Sequence, residues 1–256
     1  MRLTILKAMF IRHLLILKSY SFNSLSGIIT MYIVFCLMFF GVQAMVPAGS
    51  IGRTLEGMLV GYALWAFAIF AFSELAWELT NEAQFGTLEQ LHLSPAGLRW
   101  AVSANLMTGF LYNTLILSLL VALMMVTTGK YLRVDLIAVI PLLVVTVLGV
   151  YGLGFAGGGL QLIFKRVQAF FQIIQFVLVG CIVAPWDRFP WAKYLPLSLG
   201  NRLLQRVMLD GERLWELPLG LLATLVLLNL AYLTAGLLVF EAATQAARRK
   251  GMLGHY

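Results

Sequence analysis

The sequence predicts an all-α integral membrane protein. Apolar residues make up 61% of its 256 residues and charged residues only 11%, and the mean hydropathy is +0.90. These values lie outside the range of a soluble globular domain. None of the long apolar stretches shows the alternating pattern of a membrane β-strand, so helices are the predicted spanning elements.

Long uncharged stretches indicate where the helices lie. Six such stretches separate the charged residues, and each is near or above the roughly 17–25 residues that a helix needs to cross about 30 Å of hydrocarbon. We therefore predict six transmembrane helices, at residues 22–46, 56–78, 96–127, 134–164, 167–185 and 217–240.

Three further segments lie outside these spans. Residues 1–20 place several apolar residues on one arc of a helix between cations, which predicts an interfacial helix; a continuation of the first span is the alternative. Residues 186–216 are too charged to cross, and their prolines, Trp and Tyr favour a re-entrant or interfacial outer loop. Within it, residues 201–209 could form a short amphipathic helix at the headgroup level, and residues 241–256 form a tail.

Cations indicate the orientation. The first carboxylate is Glu56, so the N-terminal segment carries only positive charge, and the C-terminal tail carries Arg248, Arg249 and Lys250. An even number of spans puts both termini on one side, which the cations predict to be the cytoplasmic side. A signal peptide is the competing interpretation, but the apolar run 22–45 is longer than an h-region of about 7–15 residues.

The formal charge of +7 does not indicate nucleic-acid binding, because no basic cluster is interleaved with aromatic residues. The excess cations lie at the predicted membrane edges, where lipid headgroups suffice as partners.

The fourth predicted span contains the glycine-rich stretch GVYGLGFAGGGLQ, in which Gly154 and Gly158 have small-xxx-small spacing. This pattern predicts that another helix approaches closely there, although a gating hinge is the alternative. A nucleotide-binding P-loop is not indicated, because no strand precedes the glycines and no Lys-Ser/Thr pair follows them.

The sequence shows no catalytic or ion-coupling cluster. All eleven carboxylates lie at predicted span ends or in loops, and His13, His92 and His255 are far apart in the chain. No metal-ligand cluster, proton relay or base for a nucleophile is therefore visible. An enzyme is the lesser alternative. If the protein moves a solute, another polypeptide must supply the energy.

The stretch NEAQFGTLEQLHLSP, residues 81–95, is a candidate surface for that polypeptide. Gly86 is a natural breaker of the preceding helix, while Thr87 and Gln90 have the spacing of a capping box, which predicts a short helix at about 87–93. Ser94 and Pro95 have the pattern of a cap for the next span. Leu88 and Leu91 share one face of the short helix, which either docks on a partner or packs on its own helix ends.

This stretch resembles the corresponding part of the permease subunits of type-2 ATP-binding-cassette (ABC) exporters. The residues that carry the resemblance follow the second span, and they are Glu82, Gly86, Thr87, Leu88, Glu89, Gln90, Leu91, Ser94 and Pro95. The basic N-terminus, the six spans, the glycine-rich fourth span and the proline-bearing outer loop are similar as well.

The resemblance implies that the short helix is a coupling helix that contacts a separate ABC ATPase (nucleotide-binding) subunit. It also implies a pair of permeases, either a homodimer or this chain with a similar second permease. No cofactor is expected in this chain, and ATP and magnesium are expected on the partner subunit. The chain would then be a multi-pass protein of a bacterial or archaeal cytoplasmic membrane. An ATPase-independent transporter or scaffold is the alternative from another class.

Three glutamines in the fifth predicted span suggest a substrate pathway. Gln168, Gln172 and Gln175 recur at helical spacing among phenylalanines. The resemblance implies that the first, second and fifth spans line the dimer interface, so these glutamines could face a path with Trp65 or Phe72. Hydrogen bonding between helices is the alternative. A path without fixed charge would suit an amphipathic, drug-like or lipid-like solute, although export of a polysaccharide or lipid-linked glycan competes with this prediction.

Overall fold

The computed structural model describes residues 21–45, 51–84, 97–164, 168–186 and 188–249. All of the regular secondary structure in these ranges is helical. The α-helices are α1 (Ser21–Met45), α2 (Ile51–Gln84), α3 (Gly97–Thr128), α4 (Leu136–Ile163), α5 (Gln168–Val183), α6 (Ser198–Gln205) and α7 (Leu219–Arg249). The predicted interfacial helix 1–20 and coupling helix 87–93 lie outside the described residues.

Five of the described helices, α1, α2, α3, α4 and α7, are long and apolar enough to cross a bilayer. Helix α5 is apolar but has only 16 residues, which at 1.5 Å per residue is about 24 Å. The fold is therefore consistent with a multi-pass membrane protein, and the predicted all-helical class is confirmed for the described residues. A six-span topology would therefore need α5 as its one remaining span.

Helix α2 lies at the centre of the bundle. It contacts α1, α3, α4, α5 and α6. Buried residues make up 72% of its apolar window, against 11% in α1. Four of its buried residues are alanines, which let neighbouring helices approach its backbone. Ala66, Ala68 and Ala71 have no exposed surface, and Ala63 is 8% exposed.

Helices α4 and α7 pack closely through glycines. A Cβ atom at Gly152 would collide with the backbone of Tyr232 and Leu233, and one at Gly236 would collide with the backbone of Gly152. Further along α4, a Cβ at Gly159 would lie 3.0 Å from that of Ala243. The prediction that the glycine-rich stretch admits a close helix neighbour is thus confirmed, and the neighbour is α7.

Helix α7 continues further than the sequence indicated. The last span was predicted to end at residue 240, but the helix runs to Arg249. The added residues include four alanines, which favour a helix, and Ala243 is buried against α4.

The short helix in the loop between α5 and α7 is inserted into the bundle. The predicted short helix at 201–209 is present but starts earlier: α6 begins at Ser198, and a π-helical turn continues it over Arg206–Asp210. Its position at the headgroup level stays a prediction. Helix α6 contacts α2, α4, α5 and α7. Gly200 makes this possible, because a Cβ there would collide with the side chain of Thr146 on α4.

The α4–α7 packing generates a stability prediction. Gly152→Ala should lower the free energy of unfolding in mixed detergent micelles by about 1–3 kcal/mol, because the methyl group forces the two helices apart. Gly180→Ala is the matched control, since a Cβ there would meet nothing within 4 Å. Equal stability of the two variants would contradict the close packing.

Candidate functional site

Polar contacts follow one side of α2 from Gly57 to Ser73. We call this set the polar seam; it comprises Gly57, Gly61, Trp65 and Ser73 of α2, Gln175 of α5, and Asn201 and Gln205 of α6. Side chains from α2, α5 and α6 meet backbone carbonyls or other side chains here. In a bilayer, such groups need protein or water partners.

Helix α6 forms one end of the seam. The Nε2 atom of Gln205 donates to the carbonyl oxygen of Gly57 at 3.2 Å, and Nδ2 of Asn201 donates to that of Ile182 at 3.4 Å. Asn201 is only 6% exposed, and its Oδ1 atom has no hydrogen-bond partner among the described residues. Gly57 and Gly61 leave room for these amides, which lie within 4 Å of where their Cβ atoms would be.

Helix α5 forms the other end of the seam. The indole Nε1 of Trp65 donates to the carbonyl oxygen of Gln175 at 3.0 Å, and Nε2 of Gln175 donates to Oγ of Ser73 at 3.3 Å. One turn beyond, the rings of Phe72 and Phe171 pack edge to face with centroids 5.4 Å apart. The backbone carbonyl group and the side-chain amide of Gln175 therefore both hold α5 against α2.

Trp65 also lies next to the α1 contact. Its ring packs at 5.3 Å from that of Tyr62, whose hydroxyl donates to the carbonyl oxygen of Met31 on α1. Trp65 is half-buried, so part of its surface remains accessible between the α1 and α5 contacts.

The predicted pathway residues are brought together only in part. Trp65, Phe72 and Gln175 meet at the α2–α5 contact, and Phe72 is fully buried. Gln172 is exposed instead. The side chain of Gln168 lies outside the described residues. Gln175 matches the alternative of hydrogen bonding between helices.

Most of the predicted coupling residues lie outside the part of the chain that the structure describes. Glu82 lies in the last turn of α2, but its side chain is not among those described, and Gly86, Thr87, Leu88, Glu89, Gln90, Leu91, Ser94 and Pro95 lie outside the described residues.

Sequence reasoning missed the α6 half of the seam. One available signal was the spacing of Gly57 and Gly61, four residues apart, which is the small-xxx-small pattern of a close helix contact. Asn201 and Gln205 repeat the same spacing on α6. Their partners could not be read from the chain, because a helix of eight residues gives no hint that it enters the bundle.

The two described ion pairs lie beside one end of the seam, since Glu56 precedes Gly57 and Arg206 follows Gln205. Nζ of Lys130 is 3.1 Å from Oε1 of Glu56, and Nε of Arg206 is 3.9 Å from Oε1 of Glu212. Both pairs are about one-third exposed, so each contributes little stability.

The described residues contain no group of three His, Cys, Asp or Glu that could hold a metal. The seam itself offers only neutral amide, indole and hydroxyl groups.

Comparisons of the chain with protein-family models, with curated proteins and with solved structures found no significant match.

Proposed function

We propose that this chain is the membrane-spanning permease subunit of an ATP-driven ABC exporter, which pairs with a second permease copy and is driven by separate ATPase subunits. The observation that carries the proposal is the stretch Gly-Thr-Leu-Glu-Gln-Leu followed by Ser-Pro at residues 86–95. It occupies the connection between α2, which reaches Gln84, and α3, which begins at Gly97.

The central position of α2 supports this role for the 85–96 connection. A force applied there acts directly on the end of the helix that contacts five other helices. Packed helices move as rigid bodies more readily than they deform, so a small displacement at this end would shift the α2 contacts with α4, α5 and α6 together. Closure of two ATPase subunits would supply the displacement.

The proposal includes six spans with both termini in the cytoplasm, and α5 is the fifth of them. Its length of about 24 Å is shorter than the hydrocarbon core, but local thinning of the bilayer and flanking residues can accommodate such a helix. Its apolar face supports a position in lipid or against another copy, since Ile173 is 59% exposed and Phe176 is 74% exposed.

The coupling role is tested by charge substitution on the predicted apolar face. Leu88→Asp plus Leu91→Asp should abolish co-purification of the ATPase and ATP-dependent transport, because a buried apolar contact would acquire two unpaired carboxylates. Binding would be measured by pull-down of the P-loop protein and transport in vesicles.

Leu93→Asp is the control for added charge, since residue 93 lies on the same predicted helix but on the face opposite Leu88 and Leu91. It should retain ATPase binding. Wild-type binding and transport in the double leucine variant would show that residues 85–96 are only a turn.

The neutral seam supports an amphipathic, drug-like or lipid-like solute. Neutral amides and aromatic rings can contact a partly polar molecule without the cost of burying an unpaired charge. The exposed Gln172 and the accessible part of Trp65 are the residues proposed to line the path, whereas Gln175 holds α5 in place.

Alanine substitution should separate these two roles. Gln172→Ala should reduce solute-stimulated ATP hydrolysis of the reconstituted complex and leave its unfolding free energy within about 0.5 kcal/mol of wild type. Gln175→Ala should lower the unfolding free energy by about 0.5–1.5 kcal/mol, because the bond to Ser73 is lost. Unchanged stimulation in the Gln172 variant would remove it from the path.

A further inference from the structure

The segment between α5 and α6 presents aromatic side chains outward. A 3₁₀ helix over Pro190–Tyr194 is attached through Ala192, which has no exposed surface. Trp191 is 59% exposed, and Phe189 and Tyr194 are each 48% exposed. The segment thus packs on the bundle through Ala192, and its aromatic rings remain exposed on the opposite side.

Two cations are held against rings in this region. The guanidinium of Arg202 lies 5.6 Å from the centre of the Trp186 ring, and Nζ of Lys193 lies 4.9 Å from that of Tyr194. The Trp186 ring is itself fixed, because its Nε1 donates to Oγ of Ser198 at 2.8 Å. The cations are therefore ordered by aromatic contacts.

Neither cation has an ion-pair partner among the described side chains, unlike Lys130, which pairs with Glu56. Between Trp186 and Gln205 the sequence has three cations, Arg188 among them, against one carboxylate. The region therefore presents positive charge that this part of the chain does not neutralise.

The region lies next to the ends of apolar helices, where the membrane interface of a spanning protein is expected. Trp186 follows the last residue of α5 by three positions. Two other aromatic residues near span ends of the same side are also exposed, Tyr131 at 76% before α4 and Trp215 at 68% before α7. Trp and Tyr favour the headgroup level, and cations there attract anionic lipid.

We propose that Trp186, Trp191, Lys193, Tyr194 and Arg202 form a surface that binds the headgroups of anionic phospholipids in the leaflet at this end of the bundle; we call it the headgroup surface. The rings would lie among the upper acyl carbons and the two cations would contact phosphate, to which a guanidinium can donate two parallel hydrogen bonds. The proposal requires only that the chain spans a membrane, so it does not depend on the ATPase partner.

Lipid selectivity tests the headgroup surface. The full chain would be reconstituted in vesicles of phosphatidylcholine mixed with an equal part of phosphatidylglycerol, extracted in mild detergent, and its retained lipids counted by native mass spectrometry. Wild type should retain phosphatidylglycerol in preference to phosphatidylcholine. Lys193→Gln plus Arg202→Gln should reduce that preference by up to about fivefold for each cation removed. In wild type, high salt during extraction should reduce it as well.

The charge-conserving pair Lys193→Arg plus Arg202→Lys is the matched control and should keep the preference. An unchanged unfolding midpoint of each variant in detergent would show that folding is intact. If the double glutamine variant kept the wild-type preference, the headgroup surface would be disproved. A change in oligomeric mass without a change in retained lipid would also overturn it, because the surface would then face another protein copy.

Discussion

The bundle depends on the burial of α2 by five other helices. Lipid tails are as apolar as leucine, so apolar burial alone does not bring helices together in a bilayer, and close backbone approach has to do so. Small residues provide that approach along α2, through Gly57, Gly61 and the buried alanines of its central turns. The same device joins α4 to α7, where Gly152 and Gly236 meet.

Close packing at α2 explains why polar groups occur inside the bundle without charges. Where α6 and α5 approach α2, amides and the Trp65 indole come within hydrogen-bond distance of backbone carbonyls. Bulkier side chains on α2 would hold the helices too far apart for these bonds. These bonds are individually weak in membranes, with averages of about 0.6 kcal/mol. Helix α5 is thus held by few polar contacts and the Phe72–Phe171 ring pair, while α4 and α7 are joined backbone to backbone.

The sequence predicted the helices well where composition alone decides them. Uncharged runs of sufficient length indicated the long helices, and the glycine-rich stretch indicated a close helix contact. Tertiary context decided the rest: α6 is buried because Gly200 fits over Thr146, which no local pattern shows. Gln172 and Gln175 follow the same helical periodicity but have different surroundings. Periodicity therefore could not distinguish the hydrogen-bonded Gln175 from the exposed Gln172.

The central claim is that a separate ATPase drives this chain through the connection between α2 and α3. Purification of the tagged chain from its own membranes in mild detergent, with mass spectrometry of what accompanies it, tests this claim most directly. The account predicts a P-loop ATPase in amounts equimolar with the chain, together with ATP hydrolysis by the purified complex. A folded chain that purifies without any P-loop protein, under conditions that preserve its own oligomer, would contradict it.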